Sequence, residues 1–277
     1  MTAISLPIPG EPTMPESAII SVSGVTKQFN SGTDRSVTAL ADIDLSIAEG
    51  EFVSLLGPSG CGKSTLLRIM ADLTQPTSGS VSLNGKAPDT ARRDRDYGMV
   101  FQQAGLFDWR NVQRNVELPL QVAGVAKQTR RAKATSMLEL VRLSEFAHHF
   151  PWQLSGGMQQ RVAIARALSA DPKILFMDEP LGALDEMNRE RLQGELLRIW
   201  SDTGTTVVFV THSISEAVFL SSRIVVMSPR PGRIAASIDV DLPYPRSAAT
   251  RTTPEYFKKI TEVRSALHGM PVAQDAP

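Results

Sequence analysis

The run Gly57-Pro58-Ser59-Gly60-Cys61-Gly62-Lys63-Ser64-Thr65 fits the phosphate-binding pattern GxxxxGK[ST]. Its glycines let the backbone wrap a phosphoryl chain with N–H groups pointing inward at a helix N-terminus. In that pattern Lys63 pairs with the β- and γ-phosphates and the Ser64 hydroxyl coordinates Mg²⁺. Phosphoryl chemistry of this kind also needs an acid at the end of a neighbouring strand. Ile174-Leu175-Phe176-Met177-Asp178-Glu179 supplies one in Asp178, placed to hold Mg²⁺, and a second in Glu179, free to act on a water as general base. The implied ligands are a nucleoside triphosphate and Mg²⁺.

These groups need a frame. Phe52-Val53-Ser54-Leu55-Leu56 runs directly into the glycine-rich loop and is nearly continuously apolar, as a strand buried on both faces must be. Similar runs occur at 174–177, 207–210 and 224–227, the last ending at the turn Ser228-Pro229-Arg230-Pro231-Gly232. Helical stretches lie between them, including Leu66–Met70 and the face formed by Leu192, Leu196 and Ile199. Strands alternating with helices predict a parallel sheet built from crossover units. Before it, Ile19, Ile20, Val22 and Val25, then Leu40, Ile43, Leu45 and Ile47, predict further strands. The block from Asn111 to Leu168 has helix formers and no strand pattern, so it reads as a helical insertion. Its basic residues Lys127, Arg130, Arg131 and Lys133 read as a solvated helix face. Thr253-Pro254-Glu255 opens a last helix, whose expected apolar stripe is Phe257, Ile260, Val263 and Leu267. Residues 1–17, with Pro7, Pro9, Pro12 and Pro15, read as a flexible tail.

Composition narrows the function classes. The 277 residues carry 29 Lys+Arg against 29 Asp+Glu, which argues against nucleic-acid binding through bulk charge. The single cysteine, Cys61, excludes an internal disulfide and a cysteine-rich metal site. As a spacer inside the phosphate loop, it is expected to block nucleotide binding when modified by a bulky thiol reagent. No stretch approaches the roughly 20 apolar residues that span a bilayer. The N-terminus lacks the basic and apolar regions of a secretion signal. The expectation is a soluble intracellular chain that meets the membrane through a partner.

Leu154-Ser155-Gly156-Gly157-Met158-Gln159-Gln160-Arg161 resembles the signature motif of the ATP-binding subunits of ABC transporters, standing upstream of Asp178 at that family's spacing. Met158 occupies a position where the family most often has Gln. The resemblance spans roughly residues 18 to 245. It implies an α/β P-loop NTPase (RecA-like) parallel core with an N-terminal antiparallel β subdomain and an inserted α-helical subdomain at about 104–168. Residues 246–277 then form a C-terminal helix and tail. It also implies a head-to-tail homodimer or paired ATPase subunit, with Ser155, Gly156, Gly157 and the D-loop residue Asp185 facing the nucleotide held by the opposite subunit. Gln102 resembles the loop glutamine that reaches Mg²⁺ and the attacking water, and His212 the switch histidine that contacts the γ-phosphate. Phe29 stands where the family stacks an aromatic ring on adenine, a role that needs only the ring face.

The stretch Leu106-Phe107-Asp108-Trp109-Arg110-Asn111-Val112 and the turn Pro231-Gly232-Arg233 resemble the nitrate, sulfonate and taurine importer branch. That resemblance implies integral-membrane permease subunits as partners, docked near Trp109, a solute-binding protein reached indirectly, no nucleic acid, and peripheral attachment at the cytoplasmic face of the inner membrane. Asp108 departs from the proline common in that branch. The alternatives are an exporter ATPase, a non-transport ABC ATPase in DNA repair or translation, and a P-loop GTPase or small-molecule kinase. No fused membrane helices, long coiled coil, second motif set or guanine-reading NKxD motif favours them.

Overall fold

The computed structural model describes residues 18–269. The tail read over residues 1–17 lies outside the described residues, as do residues 270–277. In chain order the elements are β1 (Ala18–Phe29), β2 (Val37–Ala48), β3 (Phe52–Leu56), α1 (Lys63–Met70), β4 (Ser78–Leu83), α2 (Pro88–Asp94) and β5 (Tyr97–Val100). The helical block follows as α3 (Val112–Val116), α4 (Leu118–Val122), α5 (Lys127–Leu140) and α6 (Gly156–Leu168). The chain then returns through β6 (Ile174–Asp178), α7 (Glu186–Thr203), β7 (Thr206–Thr211), α8 (Ile214–Leu220), β8 (Arg223–Met227), β9 (Ile234–Asp239) and α9 (Pro254–His268).

Six strands form one sheet in the order β5-β6-β7-β3-β8-β9, parallel from β5 to β8, with β9 antiparallel to β8. Alternate side chains of its central strands enter two different cores. Phe52 and Leu56 of β3, Leu175 and Met177 of β6, and Val207 and Phe209 of β7 join the core shared with the helices of the 112–168 block and with α7, α8 and α9. Val53 and Leu55, Ile174 and Phe176, and Val208 and Val210 face the other way, into a core shared with α1, β1 and β2. Two buried faces explain why these strands are apolar without alternation. Burying a side chain such as Phe209 completely contributes about 1.5–3 kcal/mol.

The second, antiparallel sheet runs β2-β1-β4 and lies over α1. The fold is thus a parallel α/β core with an N-terminal antiparallel sheet and inserted helices, as the sequence implies. β4, β5, β9 and α2 give no such warning. β5 has four residues, Tyr-Gly-Met-Val, and sits at the sheet edge, where a Cβ on Gly98 would strike the Ala167 carbonyl oxygen at 2.5 Å.

The last helix begins where the sequence predicts, with Thr253 Oγ1 accepting from the Tyr256 amide at 3.3 Å. Its inward stripe is different. Tyr256 and Val263 are buried with Ile260 and Leu267 beside them, while Phe257 is 57% exposed. The correction is a shift of one residue at the first turn, because Tyr256 fills the gap beside α8 and its hydroxyl donates to the Ser215 carbonyl at 3.2 Å.

Candidate functional site

β3 delivers the chain to Gly57 at the carboxyl edge of the large sheet, and the loop turns there into α1. At Gly62 the backbone takes φ 106°, and a Cβ would meet Leu40 Cδ2 at 2.6 Å, so glycine is required twice over. No side chain caps α1, leaving its first amides free to bind an anion. Lys63 is buried, and its ammonium donates to the carbonyls of Gly57 at 2.7 Å and Pro58 at 3.0 Å. The Ser64 hydroxyl donates to Asp178 Oδ1 at 2.6 Å, and the Arg68 guanidinium stands 3.7 Å from Oδ2 of the same carboxylate.

Glu179 follows Asp178 with φ 48°, a left-handed conformation that costs a non-glycine residue strain. Its Oε2 lies 3.2 Å from His212 Nδ1. His212 is braced by the residues around it. Ser213 N donates to Thr211 Oγ1 at 3.0 Å, Thr211 Oγ1 donates to Glu216, and Glu216 N donates to Ser213 Oγ at 3.3 Å, capping α8. Burial raises the Glu216 carboxyl above its ordinary pKa.

The cavity over the loop, about 260 Å³, is lined by Phe29, Val37, Ala39, Ser59, Gly60, Gly62, Lys63, Ser64, Thr65, Glu179 and Arg230. Phe29 is 41% exposed, with the Lys27 ammonium 5.0 Å from its ring centroid. The structure therefore gathers Phe29, the Gly57–Thr65 loop, Asp178, Glu179 and His212 at one end of the sheet. Ser64 and Asp178 offer a hydroxyl and a carboxylate side by side, hard oxygen donors of the kind Mg²⁺ takes. Among the described residues no cluster of three or more His, Cys, Asp or Glu would hold a metal alone. A two-donor site suits an ion that shares its ligands with phosphates and water.

The remaining sequence-derived residues lie elsewhere. Gln102 has no hydrogen bond to Ser64, Asp178 or Glu179; its amide rests against Gly182, and it lines a separate cavity with Gly156, Pro180 and Leu184. Ser155 caps α6 by accepting from Met158 N at 3.4 Å, and Gly156 and Gly157 open that helix. Asp185 caps α7, accepting from Asn188 N at 3.1 Å and Asn188 Nδ2 at 2.6 Å, which holds its carboxyl below the usual range. None of these five lines the cavity over Lys63.

Cys61, the spacer inside the phosphate loop, is 1% exposed within the core, and burial pushes its thiol up against the opposing pull of Lys63. The basic run of α5 is not a plain solvated face. Lys133 pairs with Asp171, but Lys127, Arg130 and Arg131 line a groove of about 640 Å³ with Trp109, Arg110 and Arg114. Glu117, paired with Arg130 at 3.2 Å, is the acid in that lining. Trp109 is 72% exposed there.

Sequence reasoning also missed the ties between the Gln102 loop and α6. Gln160 Nε2 donates to the Phe101 carbonyl at 3.0 Å, and Arg166 donates to the carbonyls of Gly105 at 2.7 Å and Ala104 at 2.8 Å. Gln160 stands inside the quoted signature run, so its polar type on a buried helix face was the available signal.

The chain is similar to known proteins over most of its length. A family model described as ABC transporter matches residues 40–182. An uncharacterized ABC transporter ATP-binding protein of Methanocaldococcus jannaschii is 48% identical over 244 residues, which cover 88% of this chain and 90% of the relative. A taurine import ATP-binding protein of Yersinia pestis is 46% identical over 223 residues, 80% of this chain and 85% of the relative. Among solved structures, the dimeric post-hydrolysis state of an ATP-binding cassette bound to ADP and Pi aligns with TM-score 0.69 and 38% identity, over 80% of this chain and 99% of that one.

Proposed function

We propose, from the premise that this chain belongs to the ABC transporter family of ATP-binding proteins, that it powers import of a small solute of the taurine, sulfonate or nitrate type. As a member of that family it is an ATP-hydrolysing transporter subunit with the P-loop fold. The observation that carries the catalytic reading is the junction of the Gly57–Thr65 loop with Asp178, Glu179 and His212 at one sheet edge.

In this reading the loop amides and Lys63 hold the phosphoryl chain, and Phe29 stacks on adenine. Ser64 and Asp178 hold Mg²⁺, which when bound neutralises charge on the transferring phosphoryl group. Glu179 accepts a proton from the attacking water as the bond between the γ-phosphorus and the β,γ-bridging oxygen breaks. The ring nitrogen of His212 keeps the Glu179 carboxylate aimed. Gln102, which lines the neighbouring cavity, would serve Mg²⁺ and the attacking water. Ser155, Gly156, Gly157 and Asp185 serve a nucleotide held by a second copy or a paired ATPase subunit, since they stand apart from this chain's own cavity.

Import rather than export is supported by the taurine import relative, and by the exposed Trp109 beside the basic groove. That groove suits an acidic cytoplasmic segment of a permease. No described helix is long and apolar enough to cross a membrane, so the reading places the chain peripherally, at the cytoplasmic face of the inner membrane. A solute-binding protein on the other side completes the importer.

The decisive experiment replaces the general base. Glu179→Gln is expected to bind MgATP, lose turnover by about 10³-fold and elute as a dimer on sizing chromatography with MgATP. A variant that stays monomeric and hydrolyses at the wild-type rate overturns the site assignment. Uptake assays with the cognate permease in vesicles test direction and cargo; ATP-driven efflux overturns the importer reading.

A further inference from the structure

The turn that follows β8, the strand paired with β3, reaches the phosphate loop. It joins β8 to β9 through Ser228-Pro229-Arg230-Pro231-Gly232, and it is pinned on several sides. Gly232 N donates to the Ala39 carbonyl at 2.9 Å, and Ala41 N donates to the Gly232 carbonyl at 3.0 Å, adding the turn to the edge of β2. A Cβ on Gly232 would drive into the carbonyl oxygen of Cys61, so the turn lies directly against the phosphate loop. Ser228 closes the turn, its amide donating to the Arg233 carbonyl at 2.9 Å and its hydroxyl accepting from Arg233 N at 3.0 Å. Prolines on both sides of Arg230 fix their own φ angles, so little backbone freedom remains between them.

This rigid turn displays one arginine into the cavity. Arg230 Nη2 stands 3.4 Å from the Gly60 carbonyl, and its side chain lines the same cavity as Ser59, Lys63 and Ser64. Among the described residues no carboxylate lies within ion-pair distance of it. A guanidinium has five donors. The long contact to Gly60 engages one, and the others have no acceptor among the described residues. Gly60 belongs to the phosphate cradle, not to the part of the cavity around Phe29 and Val37. The anion matched to a planar, permanently charged fork at that position is a phosphoryl group.

We propose that Arg230 binds the phosphoryl chain of the nucleotide held by its own subunit, making the β8–β9 turn part of the nucleotide site. This rests on the reading of the Gly57–Thr65 cavity as the ATP site. It adds a second fixed positive charge beside Lys63, carried by an element that joins the antiparallel sheet to the core. Nucleotide occupancy is thereby coupled directly to the contact between β2 and the turn.

The test is equilibrium competition on the full chain, with a fluorescent ATP analogue displaced by ATP, ADP or AMP in the presence of Mg²⁺. Arg230→Gln is expected to weaken ATP about tenfold and AMP less than twofold, with ADP between them. Arg230→Lys, which keeps the charge and loses the fork, is expected to stay within threefold for ATP. Equal losses for all three nucleotides would mean that Arg230 only buttresses the loop, and would overturn the proposal. ATP affinity within twofold of wild type in Arg230→Gln overturns it as well. Should Arg230→Gln fail to melt cooperatively, the threefold limit and nucleotide ranking in Arg230→Lys decide the matter. Wild-type protein that binds no ATP would instead sink the nucleotide reading itself.

Discussion

At Lys63 a helix begins in a loop whose side chains already meet others from across the sheet: Ser64 with Asp178, and beyond it Glu179 with His212. At Gly156 another helix begins behind Ser155, whose only side-chain hydrogen bond among the described residues is its own cap to Met158 N, and Gly156 lines the separate cavity that holds Gln102. Both starts use glycines and free amides, the same physics of helix N-termini. The first is assembled by the fold of one chain. The second stands outside the cavity over Lys63, and in the function proposed above it serves a nucleotide held by a second subunit.

That contrast can be broken by experiment. Gly157→Asp places a carboxylate at the amides of the second helix start. It is expected to cut turnover by about 100-fold or more, on the scale of losing an oriented oxyanion donor, while MgATP affinity of the isolated chain stays within twofold. A matching loss of ATP affinity would show that the two ends are not separate. Lys63→Ala attacks the first end: MgATP affinity measured with a fluorescent analogue should fall about 10- to 100-fold, as expected for lost charge-assisted hydrogen bonds. Unchanged affinity would remove Lys63 from the cradle. The smallest effect is at Cys61. A maleimide should label it slowly in the native chain and fully in denaturant, because the thiol is buried and its thiolate disfavoured. Rapid native labelling would show that Cys61 is not held within the core.

Much of the first end was legible because its signal is local. The glycine spacing, Lys63 and Ser64 are contiguous, and the strand before them announces itself by apolarity on both faces. Asp178 and Glu179 were legible for the same reason, at the end of another such strand. The short edge strands were not, since β5 carries four residues and β4 is mostly serine and glycine. The basic residues of α5 looked like a solvated face because nothing in their spacing shows that Arg110 and Arg114 come from another element to share their groove. Phe257 and Tyr256 are adjacent aromatics at a helix start, and only the shape of the neighbouring α8 decides which one turns inward.

By itself the sequence determined the α/β frame, the phosphate loop, the two acids after β6 and the family, because each is written in contiguous residues whose period or spacing has a physical cause. Tertiary structure alone decided that Cys61 is buried, that Gln102 sits against Gly182 apart from Ser64, and that Arg230 arrives at Gly60 from the turn after the neighbouring strand β8. Those facts depend on which side chains meet across many intervening residues, and the packing of the elements sets that, not any local pattern.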